Sequence, residues 1–247
     1  MAKTSEIIKI LNEYAPLEQA ESWDNSGWQV FFGNDNTTKT LICLSVTEDV
    51  VNQAIELGCN LIISHHPVIF KPLKVINDAK IIKAVNNGIQ IYSLHTNCDK
   101  TKGGTSDLIA QKLNLQKTAS LNDFVRVGLA QYEMSLDELI SYVKLAFNVE
   151  RVKLTNNGNK NIVKTIAVCA GAGAEFIEDV DKYNIDAYIT SEIKYHDALD
   201  CRNTALLDIG HFESEKPFVE QIKNILEKKK KRISVVIAKE KTAWEYV

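Results

Sequence analysis

From residue 41 to residue 113, short apolar runs alternate with amphipathic stretches, and one run, Leu61-Ile62-Ile63-Ser64, stops in His65-His66-Pro67. This alternation limits the fold more than any other feature. A short apolar run closed by proline is a buried strand that ends there. Strands alternating with helices through short connections imply an α/β chain with largely parallel pairing. Open sheets of that kind collect ligands beyond the carboxyl ends of their strands. The chain has five histidines, His65, His66, His95, His196 and His211, and each falls at or shortly after the end of an apolar run. Histidine scattered through a fold would not do this, whereas a metal site assembled at strand ends would.

The pattern predicts a first helix over Thr4–Tyr14 with Thr4 as its cap and Pro16 beyond its end, then a turn-rich stretch over 22–28. Strands follow at 41–46, Leu61–Ser64 and 89–94, with helices at 48–57, 79–85 and 106–113. Residues 125–132 read as a strand. Ser135-Leu136-Asp137-Glu138 is a capping box opening a helix to about Phe147, and residues 156–159 read as a hairpin-type turn. Alternation resumes with strand 165–169, helix 175–183, strands Ala187–Thr190 and 205–209, a long helix to about Lys230, and strand 233–238. The halves echo each other. In each, three successive strands lead to a histidine followed four residues later by an acid, His95 with Asp99 and His211 with Glu215. The expected architecture is therefore α/β, with two interlocked lobes, about 1–124 and 125–247, related by a weak internal duplication. The metal site is expected in the cleft between them.

Composition excludes several classes. Among 247 residues, 45% are apolar, enough for a substantial core, yet no stretch approaches the ~20 apolar residues of a membrane span. The first residues enter a polar helix with no apolar signal core. A net charge of −3 gives no general attraction to nucleic acid. Cys43, Cys59, Cys98, Cys169 and Cys201 are odd in number and form no CxxC pair, as expected of free thiols in a reduced, cytoplasmic protein.

Three strand ends carry the chemistry. His65 and His66 would point to opposite faces on a continuing strand. Because Pro67 ends it, both rings can turn toward one cavity. His95-Thr96-Asn97-Cys98-Asp99 places a carboxylate in the loop after a strand, where a cation is a natural partner. In Gly210-His211-Phe212-Glu213-Ser214-Glu215-Lys216-Pro217, the proline cannot sit in a helix interior. The helix is then expected to begin no earlier than Ser214, with His211 on the loop and Glu215 at the helix start. Any one of these residues reads equally well as an ordinary turn, capping or buried polar residue. Together, His65, His66, Asp99, His211 and Glu215 make a mix of imidazole and carboxylate that suits Zn, Mn, Fe or Co. Five such donors suit two divalent ions on the order of 3.5–4 Å apart. His95 and His196 are left either to hold a ligand from behind or to move a proton. Gly171-Ala172-Gly173 reads as a tight turn after a strand, and the basic run 228–232 as a solvated helix end.

With these residues in place the chain resembles the NIF3 family, also called the GTP cyclohydrolase I type 2 homologues. The resemblance rests on Trp23-Asp24-Asn25-Ser26-Gly27, Ile63-Ser64-His65-His66-Pro67, His95-Thr96-Asn97-Cys98-Asp99, Val168-Cys169-Ala170-Gly171-Ala172-Gly173 and Gly210-His211-Phe212-Glu213-Ser214-Glu215. It implies dinuclear metal ligands at His65, His66, Asp99, His211 and Glu215. It also implies a toroidal homohexamer with the metal sites facing an internal cavity, in the short form that lacks an inserted domain. The chain departs from the family pattern at Ser45, where many members carry Asp.

Two functional readings follow. The first is a two-metal hydrolase acting on a nucleotide-like substrate; the family name implies GTP, opened at its imidazole ring with loss of formate. The second is a non-enzymatic, metal-bearing regulatory or scaffold protein that binds a partner or nucleic acid. Metal-dependent turnover of a nucleotide separates them.

Overall fold

The computed structural model describes residues 2–229 and 232–245. It is a mixed α/β chain with several sheets, and it divides into two compact units. One runs through Thr101 and resumes at Phe218; the other is Lys102–Pro217.

In the first unit, strands Thr40–Cys43, Leu61–Ser64 and Gln90–Ser93 lie side by side, parallel and in sequence order. Val235–Ile237 extends this sheet in parallel beside Thr40–Cys43, and Gly27–Val30 closes the other edge antiparallel to Gln90–Ser93. Every residue of the three central strands is buried. Parallel strands covered on both faces read as continuous apolar runs, which is why they were legible without alternation. Helix Glu48–Glu56 begins at Thr47, whose hydroxyl accepts from the Val50 amide at 3.2 Å. It packs Val50, Val51 and Ala54 into the core with Ile62 and Ile91.

In the second unit, Ile162–Val168, Ala187–Thr190 and Ala205–Asp208 are again parallel neighbours in sequence order. Side chains of a strand alternate between faces, and here the alternation builds two cores. Ile166, Val168, Ile189 and Leu207 join one, covered by Leu139, Val143 and Phe147 of helix Leu136–Phe147. Ala167, Cys169, Tyr188 and Leu206 join the other, covered by Ile177 and Val180 of helix Ile177–Lys182. The capping box is formed: Ser135 Oγ accepts from the Glu138 amide at 3.2 Å, and Glu138 Oε2 accepts from the Ser135 amide at 2.7 Å. Strands Arg126–Ser135, Gln116–Ser120 and Lys153–Thr155 pair antiparallel and complete the sheet.

Several expectations are corrected. Thr4 does not cap helix Thr4–Tyr14: it is the first helical residue, its hydroxyl pairs with Thr37 Oγ1 at 2.7 Å, and the Ser5 amide at the helix start donates to Asp35 Oδ1 at 2.8 Å. The stretch read as a turn becomes a strand from Gly27, where Trp28 meets Tyr92 edge-on with ring centroids 5.1 Å apart. Residues 156–159 do not form a hairpin, since Lys153–Thr155 pairs with Ala205–Asp208 and not with Ile162–Val168. The turn instead closes on itself: Asn156 Oδ1 accepts from the Lys160 amide at 2.8 Å, and Asn156 Nδ2 donates to the Lys160 carbonyl at 3.0 Å. The helix expected over 175–183 is a 3-10 turn, Ala174–Phe176, followed by Ile177–Lys182. The long final helix is two, His211–Glu215 and Pro217–Lys229, with the proline at the first position of the second. Lys230 and Lys231 lie outside the described residues. All five cysteines are buried free thiols, and among the described residues no helix is long and apolar enough to cross a membrane.

Candidate metal centre

In the first unit the backbone ladder runs on past Ser64. The His65 amide donates to Cys43 O at 3.2 Å and the His66 amide to Leu44 O at 2.8 Å. These bonds hold the histidine pair at the carboxyl edge of the sheet. His95 follows the neighbouring strand Gln90–Ser93, and the ring centroids of His65, His66 and His95 lie 5.0–5.7 Å apart. One ligand atom from each of the three lies within 4.8 Å of the others. Asp99 is not on a loop but on a five-residue helix, Thr96–Lys100, that turns the chain back so that its Oδ1 lies 3.5 Å from His65 Nε2. His65 is fully buried, with its ring against Phe218.

In the second unit, His211 and Glu215 open and end the same short helix, so a four-residue spacing stacks them on one face. His211 Nε2 is 3.1 Å from Glu215 Oε1. His211 is thus on a helix rather than the expected loop. The order of Pro217 and Ser214 gave the right break but assigned it to the wrong side. Glu215 is buried, and Gly171 makes room for it: a Cβ there would run into Glu215 Oε1, and the φ of +65° is one that other residues rarely adopt. Ser214 Oγ accepts from the Gly171 amide at 2.9 Å, which ties the two segments together.

A common device fixes all four of these imidazoles through Nδ1. His65 Nδ1 lies 2.7 Å from the Leu94 carbonyl, His66 Nδ1 2.8 Å from Ser45 Oγ, His95 Nδ1 2.7 Å from Asp24 Oδ1, and His211 Nδ1 2.8 Å from Glu192 Oε1. A carbonyl or an ionised carboxylate can only accept, so in three of the four Nδ1 carries the hydrogen. The neutral ring then presents a lone pair at Nε2, the arrangement that metal-bound histidines adopt. The donor set therefore fits divalent transition ions.

The carboxylates around these rings also set how tightly a proton is held there. Burial works to raise the Asp24 carboxyl, but hydrogen bonds from His95, Thr96 and Ser26 outweigh it and hold the group far below the usual carboxylate range. Burial works to lower His211, and the carboxylates of Glu215 and Glu192 outweigh it, raising the ring to about 9. Proton and metal thus compete for the same Nε2. His196 lies exposed on helix Tyr195–Asp200, edge-on to Tyr195. Three contributors went unassigned in the sequence. Asp24 sits inside a quoted motif but its carboxylate had no visible target. Glu192 has no local signal at all, although its φ of +58° marks it out in the structure. Gly171 read only as a turn.

A mixed α/β chain with imidazole–carboxylate groups at the carboxyl ends of its parallel strands defines the class: a protein with candidate transition-metal sites. The sequence model of Duf34/NIF3 (NGG1p interacting factor 3) matches residues 2–243, and the chain belongs to this family. It is 33% identical over 99% of its length to the whole of a protein named GTP cyclohydrolase 1 type 2 homolog from Clostridium perfringens. It is 35% identical over 88% of its length to a protein of the same name from Clostridium acetobutylicum, covering 87% of that relative. The crystal structure of a Bacillus cereus protein related to NIF3 has the same fold, with a TM-score of 0.90 over 99% of each chain at 23% identity.

Proposed function

We propose that the chain binds two divalent transition-metal ions through His65, His66, Asp99, His211 and Glu215, and that it is a metal-dependent hydrolase of a nucleotide-like substrate. The observation that carries this reading is the shared orientation of the imidazoles, each with Nδ1 against a protein oxygen, which makes Nε2 the nitrogen that would coordinate an ion. The relatives' printed name supports GTP as the first substrate to try, with ring opening and formate release as the reaction.

Bound ions of this kind supply Lewis acidity and bring a water toward ionisation near neutral pH. The chain's own residues do the rest. His65 and His66 are locked in place by strand ladders. Asp24 keeps the hydrogen of His95 at Nδ1, so His95 can take up or release a proton at Nε2. Assembly into a homohexamer is part of the proposal. The apolar exposed segment with Phe70, Leu73, Val75 and Ile76 supports a surface that is covered by another copy.

The test is to load the protein with Zn, Mn, Fe or Co, count ions per chain by elemental analysis, and incubate it with a panel of nucleotides while following products by mass spectrometry. Two ions per chain and a metal-dependent product are expected. Two ions with no product from any nucleotide would reject the hydrolase and favour a metal-bearing binding protein.

A further inference from the structure

The strand end beside the histidine pair is tied to a segment 196 residues further along the chain. After strand Val235–Ile237, the Ala238 amide still donates to Ile42 O at 2.8 Å, and then the backbone pairing stops. The side chain of Gln53, on helix Glu48–Glu56, takes over as if it were a peptide. Its Oε1 accepts from the Lys239 amide at 2.8 Å and its Nε2 donates to the Lys239 carbonyl at 2.9 Å. Pinned on both sides, the next residue, Glu240, aims its carboxylate at the end of strand Thr40–Cys43. Oε2 accepts from the Leu44 amide at 2.8 Å and Oε1 from the Ser45 amide at 3.0 Å. Each carboxylate oxygen thus accepts from one of two consecutive amides.

Both of those residues contact His66. Leu44 O receives the His66 amide at 2.8 Å, and Ser45 Oγ lies 2.8 Å from His66 Nδ1. Glu240 takes the place that a neighbouring strand would fill at the Leu44 and Ser45 amides, because Val235–Ile237 has already ended. On a loose strand end the hydroxyl can move away from the ring, and Nδ1 then loses the oxygen that holds it. With the backbone of Ser45 fixed, its oxygen stays beside Nδ1.

We propose that Glu240 is a positioning residue for His66: by clamping the Leu44 and Ser45 amides it keeps the Ser45 hydroxyl against Nδ1, which leaves Nε2 as the nitrogen that would take the ion. The proposal rests on reading His66 as a metal ligand, and its test separates the two. Zinc affinity, from chelator competition, and the His66 tautomer, from imidazole 15N shifts of the metal-free protein, are measured for wild type, Glu240→Ala, Glu240→Gln, Ser45→Ala and the Glu240→Ala/Ser45→Ala double variant. Losing a partner of this kind costs about 10–100-fold in affinity, so Glu240→Ala and Ser45→Ala should each weaken zinc by that order. Because Glu240 acts through Ser45, the double variant should be no weaker than the weaker single one within about threefold. Glu240→Gln, which keeps one acceptor, should fall between and also serves if Glu240→Ala does not fold. In the metal-free protein, the His66 ring 15N shifts, which report the hydrogen bond at Nδ1 as well as the tautomer, should differ from wild type in each variant. Unchanged affinity with unchanged ring shifts, or losses that multiply in the double variant, would overturn the proposal. If wild type binds no zinc, the metal reading falls, and the ring shifts alone decide whether Glu240 positions the ring.

Discussion

Asp186 shows how a single carboxylate can finish a sheet. Parallel pairing between Ile162–Val168 and Ala187–Thr190 begins at Ile166 and Ala187. One residue earlier, Asp186 Oδ2 accepts from the amides of Lys164 at 3.0 Å and Thr165 at 2.9 Å, and from the Thr165 hydroxyl at 2.8 Å. Burial works to raise this carboxyl, but these bonds prevail and hold it below its ordinary value. A group lowered on folding stabilises the protein above its unfolded pKa, ~3.9, and the gain is lost as pH falls through the lower, folded value. Asp186→Asn should therefore cost about 1–2 kcal/mol at pH 7, where the bonds are partly screened. The deficit should begin to shrink as pH falls below the unfolded value and approach nothing once pH is below the lower, folded value. Urea midpoints at the two pH values measure it, and a deficit that persists in acid would contradict the account. Gly171 gives a second expectation at this scale. Gly171→Ala must both adopt an unfavourable φ and displace Glu215, so stability should fall by about 1–3 kcal/mol, and metal content should fall with it. A melting curve and elemental analysis on the same sample check this. The ligand candidates were legible because histidine is rare here and sits at strand ends. Their partners were not, because Asp24, Glu192 and the Leu94 carbonyl reach them across turns that no local pattern encodes.

Elements were most legible where local signals agree. The apolar run fixed Leu61–Ser64 and the run at Ala187–Thr190 to the residue. The Ser135–Glu138 box fixed the start of Leu136–Phe147, and Ser135→Ala should cost about 1 kcal/mol in a urea titration. An unchanged midpoint would mean that packing of Leu139, Val143 and Phe147 alone sets this helix. Strands that exist by pairing rather than by pattern were missed. Gln116–Ser120 is exposed throughout and Lys153–Thr155 has three residues, so neither carries an apolar signature. The final helices illustrate a different limit. Pro217 announced a break correctly, but a proline at the first turn of one helix is compatible with a second helix just before it. Lys216, at φ −49° and ψ −31°, bridges the two without leaving the helical region. That short first helix is what places His211 and Glu215 four residues apart on one face.

For the whole molecule, the decisive question is whether both donor sets serve the same ions. His65, His66 and Asp99 belong to one compact unit, and His211 and Glu215 to the other. A ligand that binds the folded state alone stabilises it by about 2.7 kcal/mol at a hundredfold excess over its dissociation constant. Chelation of the fully metallated protein should therefore lower its melting temperature. If the ions are shared, as proposed, His65→Ala and His211→Ala should each abolish most of that response, since either loss opens the same sites. Glu215→Ala should behave like His211→Ala, and Cys98→Ala, a buried thiol outside the donor set, should keep most of the response. If His65→Ala removes the response while His211→Ala leaves it intact, the ions belong to the first unit alone. The dinuclear reading would then give way to a site built on His65, His66, His95 and Asp99. If chelation leaves the wild-type midpoint unchanged, neither donor set is a metal site that supports the fold.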